Sequence, residues 1–313
     1  MNLRRALAIM LIVFSRCAGA SIESELNRES QINGLALAGV VGQHTIVIPF
    51  GDAPRYYKTK WGVAVPTFTK SGRVVAWKVQ AFMRPPKLII ETVEGKQLAN
   101  HSFSSDFNVL SFDETCNRIA LLIQSERNAP MAFDLRWQSL NSSTNEIMDG
   151  SKITDSASSA DWSPDCRFLI YERDTDIYIF DTRDRTTTLI QRGHDPAWSP
   201  NGRTIVFRAL VGGIALMNTK GDIVSSPLEK HVPLGPVRWS PDGKYVSFAE
   251  KETSPIPISF FSATARLAVC RVQDGSCITA REFGSINAYY NVFHWVVGYK
   301  DFCRTCEQAE PLN

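Results

Sequence analysis

The 313-residue sequence holds no Gly-x-Ser-x-Gly element. It therefore lacks the strained strand-to-helix turn that carries the serine nucleophile of an α/β-hydrolase. Past residue 20 it has no run of about 20 apolar residues, the length a membrane-spanning helix needs, so no transmembrane segment is expected in the mature chain. Neither sign of charge is in excess, with 34 Lys and Arg against 32 Asp and Glu. Such a balance gives no basic footprint for nucleic acid and excludes a dedicated nucleic-acid binder. No window sustains an apolar period of 3.6, which excludes a helical bundle.

What is present begins with a leader. Arg4 and Arg5 precede an apolar stretch from Ala6 to Phe14, and Ala18-Gly19-Ala20 forms a small-residue cleavage site. This is the pattern of a secretory signal over 1–20, cut before Ser21. Cys17 opens a lipoprotein alternative, which Arg16 disfavours by standing where lipid attachment wants a small residue. The expected location is periplasmic or secreted. Six cysteines follow the leader: Cys116, Cys166, Cys270, Cys277, Cys303 and Cys306. An even count in an exported chain reads as disulfides of open connectivity. Cys116 and Cys166 align at the same turn position of neighbouring units and are expected to face each other. For Cys270 and Cys277, a turn at Asp274-Gly275 would set Val272 opposite Cys277, so a bridge between them is not expected. Cys303-Arg304-Thr305-Cys306 lacks the βαβ context of a redox motif and reads as structural.

The rest of the chain repeats itself. Asp161-Trp162-Ser163-Pro164-Asp165-Cys166 is followed by Ala197-Trp198-Ser199-Pro200-Asn201-Gly202 and by Arg238-Trp239-Ser240-Pro241-Asp242-Gly243, each leading into an apolar strand. Weaker copies begin at Phe68 and Phe112, and a truncated one lies at Trp295. Pro presets one corner of a turn, Asp caps its own backbone and Gly supplies positive φ, so each block reverses the chain. Short β-branched and aromatic runs with frequent turn signals indicate an all-β chain. Four strands per repeat of this length is the plan of a β-propeller blade. The anchors Phe68, Phe112, Trp162, Trp198, Trp239 and Trp295 give six four-stranded blades, with five or seven as alternatives. Three strands precede the first anchor and too few residues follow the last, so N- and C-terminal strands are expected to share a closing sheet. The implied division is 1–20 signal, 21–34 flexible leader, 35–300 propeller and 301–313 cysteine-containing tail.

The Trp-Ser-Pro-Asp-Gly block resembles the TolB-like propeller repeat of bacterial periplasmic proteins, found also in the propellers of prolyl oligopeptidases. The match is clear over 161–171, 197–207 and 238–248, extends to 68–77, and thins out at 112–121 and 293–299. The resemblance implies fold, and a propeller fold hosts many functions. TolB carries an α/β domain before its propeller, and the stretch from Ser21 to Phe68 is too short for one.

Three histidines, His194, His231 and His294, each precede an anchor, where chain approaches the central channel; converging, they would form a metal site. Their unequal offsets from the tryptophans favour loop or packing roles. Asp161 and Asp195 flank anchors at one end of the ring, with solvated turns as the expected role. No catalytic residue and no cofactor is assigned. The reading is a non-enzymatic, exported, monomeric propeller that binds a protein or cell-envelope partner across one face of the ring. The alternative is a lyase or hydrolase acting on polysaccharide or peptide at a channel metal site.

Overall fold

Each Ser-Pro-Asp-Gly block folds as the reversal its residues dictate. The amides of Ser163, Ser199 and Ser240 donate to the carbonyls five residues on, each at 2.8 Å. Asp165 and Asp242 accept the amides of Arg167 and Lys244, each at 3.1 Å. The left-handed corner is Gly72, Gly202 or Gly243 (φ 69, 68 and 70°), and in the third unit Cys166 adopts it at φ 66°.

The computed structural model describes residues 22–41, 44–58, 64–80, 84–125, 133–141, 146–148, 150–251, 264–285, 293–302 and 307–309. The chain opens with a helix, α1 (22–33), then β1 (Ala36–Val41), β2 (His44–Pro49) and β3 (Arg55–Lys58). The first complete blade is β4 (Ala64–Phe68), β5 (Val74–Val79), β6 (Lys87–Thr92) and β7 (Gln97–Ser102). In the second, β8 (Phe107–Asp113), β9 (Arg118–Gln124) and β10 (Phe133–Asn141) are followed by β11 (Glu146–Met148) and β12 (Lys152–Asp155), which share the outer place against β10. The third is β13 (Ala157–Trp162), β14 (Phe168–Arg173), β15 (Asp176–Asp181) and β16 (Thr186–Arg192). The fourth is β17 (His194–Trp198), β18 (Ile205–Arg208), β19 (Ile214–Met217) and β20 (Ile223–Leu228). The fifth is β21 (Arg238–Trp239), β22 (Tyr245–Lys251), β23 (Thr264–Arg271) and β24 (Cys277–Ser285). The sixth is the shared one: β25 (His294–Val296) pairs with β1, and β26 (Glu307–Ala309) pairs with β3 on the far edge.

This is a six-bladed all-β propeller closed by strands from both ends of the chain. A sheet buried on both faces needs continuous apolar strands, and residues 169–172 of β14 are accordingly buried in succession. The apolar core is divided into six clusters, each straddling two neighbouring blades. The anchors fill these seams. Trp162 packs against Ala120 and Leu122 of the second blade, and Arg118 lies over the rings of Trp137 and Trp162 at 5.0 and 5.5 Å.

Three expectations are corrected. Residues 22–33 are a helix rather than a loose leader: Ile22, Leu26 and Ser30, one on each successive turn, are 0, 0 and 1% exposed. Two apolar residues amid charged ones make a stripe too narrow to register as amphipathic, yet they plug the seam beside Trp295 and Leu267. Gly34 ends the helix in the left-handed conformation (φ 64°), its amide donating to Ser30 O at 3.1 Å. Cys270 does pair with Cys277. The β23–β24 hairpin turns over 272–275, with Arg271 N bonded to Ser276 O at 2.8 Å, which shifts the register by two from the one expected. Within the tail, 307–309 are a strand. Cys116–Cys166 forms as expected, with Cα atoms 5.3 Å apart, although the left-handed residue of that second-blade turn is Asn117. Cys303, Cys306 and the signal stretch 1–20 fall outside the described residues.

Because α1 is docked, Leu26→Ala should cost about 2–4 kcal/mol. Ile32→Ala, at a site 70% exposed, should change stability by less than about 0.5 kcal/mol. Urea unfolding of the two variants checks this; equal behaviour would mean that the helix is not part of the folded unit.

Candidate functional site

Side chains alternate along a strand, so the residue before each anchor projects from the sheet face opposite to the anchor's. Those six residues are Thr67, Ser111, Asp161, Ala197, Arg238 and His294, and all six line one central cavity. The cavity on the side of the Ser-Pro-Asp-Gly turns is about 50 Å³. Beyond Arg238 and His294 the channel widens to about 190 Å³, bounded by Val65, Ser158, Asp195 and Pro236 among others.

Asp161 is the hub of the narrow end. Its Oδ1 accepts Ser111 Oγ at 2.9 Å and its Oδ2 accepts Trp198 N at 2.7 Å. Lys70 Nζ reaches the same Oδ2 at 2.9 Å and also donates to Trp162 O. One carboxylate thus ties together the first four blades. Lys70 stands where the other clear units carry proline, so the first blade departs from the repeat at the position that delivers the ammonium. At 8% exposure, Asp161 is not the solvated turn residue the sequence suggested. Asp195 is half-buried and bound by Arg208, with Nη2 2.6 Å from Oδ2.

Arg238 is different. Among the described residues no hydrogen bond or ion pair engages its guanidinium. Burial pushes its pKa down, opposed by the more distant charges of Asp161 and Asp195. This half-buried cation faces open channel. Beside it His294 is 7% exposed, and burial together with Arg238 holds its pKa down to about 3. The imidazole is therefore neutral at physiological pH.

The three histidines do not converge. His194 lies at the start of β17, its Nδ1 2.8 Å from Glu172 Oε1. His231 sits between the fourth and fifth blades, its Nδ1 2.9 Å from Glu250 Oε2. Only His294 lines the narrow cavity. Among the described residues, the groups of three potential metal ligands are His231 with Cys270 and Cys277, and Asp113 with Cys116 and Cys166; neither holds two of these histidines. Sequence reading missed Arg238, Thr67, Ser111 and Lys70. The signal was available, since aligning the six units on their anchors puts Thr67, Ser111 and Arg238 in one column and sets Lys70 where the clear units carry proline.

No protein-family model matches the chain, and no curated protein matches it. Solved structures do. TolB from Acinetobacter baumannii superposes with a TM-score of 0.58 at 14% identity, over 84% of this chain and 66% of that one, so the chain spans just under two thirds of that protein's length. A TolB from Agrobacterium tumefaciens, itself described as putative, superposes with a TM-score of 0.52 at 15% identity, over 84% of this chain and 97% of that one. The fold is a TolB-like β-propeller.

His294 makes stability pH-dependent. An unfolded-chain histidine protonates below about 6.5, whereas the folded one stays neutral down to about 3. Between these values the unfolded state binds the extra proton, so stability falls by up to about 1.4 kcal/mol per pH unit as pH drops. Urea unfolding between pH 7 and pH 5 should show this slope in the parent and a shallower one in His294→Gln; equal slopes would contradict the assignment.

Proposed function

We propose that the protein is an exported, non-enzymatic propeller that binds a protein or cell-envelope partner at the wider mouth of its channel, and that the partner presents an acidic group to Arg238. The observation that carries this reading is the half-buried guanidinium of Arg238, which has no hydrogen bond or ion pair among the described residues and lies between a cavity of about 50 Å³ and one of about 190 Å³. Such volumes accept a side chain or a small anion rather than a polysaccharide strand. A carboxylate entering from the wide side would meet Arg238, with Thr67 and His294 lining the same cavity. Arg–carboxylate pairs in a desolvated site are the strong charge-assisted kind. The fold likeness to TolB structures is compatible with a binding role, and the two disulfides suit an oxidising compartment such as the periplasm. The lyase or hydrolase reading needs converging ligands, and its three candidate histidines are held by separate partners or stand apart.

Affinity capture from the envelope fraction, with wild-type protein and Arg238→Ala side by side, tests the proposal. A partner should be recovered with the wild type and at least about tenfold less with the variant, since truncating one member of a buried charge pair costs 2–5 kcal/mol or more. Equal recovery by both, or nothing above background, would count against it.

A further inference from the structure

The two disulfides differ in kind. Cys116–Cys166 joins neighbouring blades across a sequence separation of 50. Cys270–Cys277 joins directly paired positions of β23 and β24 only seven residues apart. Cross-linking stabilises a fold mainly through the loop it closes in the unfolded chain, and the effect is smaller for a shorter loop. The second bridge closes much the shorter loop, so loop closure is a weaker reason for it than for the first.

Its surroundings supply a better one. His231, in the connection between β20 and β21, places Nε2 3.3 Å from Cys277 Sγ. Its Nδ1 is 2.9 Å from Oε2 of Glu250, a carboxylate that is 4% exposed and also accepts Arg266 Nε at 2.7 Å. The carboxylate at Nδ1 fixes the ring so that Nε2 faces the disulfide. The ligand atoms of His231, Cys270 and Cys277 all lie within 4.8 Å of one another. Cys270 is fully buried, while Cys277 and His231 are half-buried and open to approach.

We infer that reduction of the Cys270–Cys277 bridge creates a binding site for a thiophilic divalent cation of the zinc class, ligated by both sulfurs and His231 Nε2, with Glu250 orienting the ring. A dithiol reductant passes two electrons and two protons to the bridge and leaves as its own disulfide. The cation then takes both thiolates, and their two protons go to solvent. Two thiolates and one imidazole form a three-ligand zinc set whose fourth tetrahedral place is open to water. The carboxylate behind the histidine is the outer partner that zinc-bound imidazoles usually have.

Cobalt(II) is the probe, used on the full chain carrying Cys17→Ser, Cys303→Ser and Cys306→Ser so that no other free thiol outside the folded bridges contributes. After phosphine reduction under argon, one equivalent of cobalt should give thiolate charge-transfer and tetrahedral ligand-field absorption, displaced by zinc. The oxidised protein should give neither band. Adding Cys270→Ser and Cys277→Ser should abolish both bands, and Glu250→Gln should weaken affinity about 10–100-fold. Bands that persist without Cys270 and Cys277 would overturn the proposal, because Cys116 and Cys166 would then be the ligands. An unchanged affinity in Glu250→Gln would overturn it as well, since a chain unfolded by reduction would bind without regard to that carboxylate; so would a reduced parent that takes up no cobalt.

Discussion

Closure of the ring is the constraint on which the rest depends. A twisted row of small sheets presents an unpaired edge at each end, and such edges invite aggregation. Here the ends meet: β25 pairs antiparallel with β1, setting Leu37 opposite Trp295. The splice is backbone to backbone. Val297 N donates to Gly72 O at 3.0 Å, Gly298 N to Asn33 O at 3.2 Å and Tyr299 N to Gly34 O at 3.1 Å. A Cβ on Gly34 would stand 2.9 Å from Gly298 Cα, so this approach requires glycine. The helix α1 then covers the seam, and Glu25 anchors it to the fifth blade through Arg271 at 3.0 Å.

Closure also makes the channel. Six units bring six equivalent positions to one level, and the chemistry of the pore is the list of what differs among them: two hydroxyls, a carboxylate, a methyl, a guanidinium and an imidazole. The carboxylate is consumed internally, by Lys70, Ser111 and Trp198 N. The guanidinium is not engaged among the described residues, and burial together with its charge keeps the neighbouring imidazole neutral. Four of the six blades thus share a satisfied polar network, and the fifth carries a charge unmet among the described residues. Buried networks of the first kind rigidify a fold, whereas a charge of the second kind invites a ligand.

The architecture was legible because its signals are local and repeated. Ser240-Pro241-Asp242-Gly243 specifies a turn by itself, and six copies of an anchor specify the ring. Even the shared blade followed from counting strands before Phe68 and residues after Trp295. The misses have physical causes. The helix α1 is held by two leucine-sized contacts with a seam that exists only once the ring closes, so nothing in its own periodicity announced it. The Cys270–Cys277 pairing depended on a four-residue turn where Asp274-Gly275 suggested a two-residue one, and a shift of two in register separates those outcomes. Arg238 was passed over because a lone arginine before a tryptophan carries no motif; its meaning comes from which side chains fail to reach it.

Native-state hydrogen exchange at the seam tests closure most directly. If the ring is one cooperative unit, the hydrogen-bonded amides of 36–38 and 294–296 should exchange only through global unfolding, with the same opening free energy as those of β14 in the third blade. Exchange of the seam amides through a separate, lower-energy opening would contradict the account, because the channel and its unmet charge exist only while the two ends of the chain are joined.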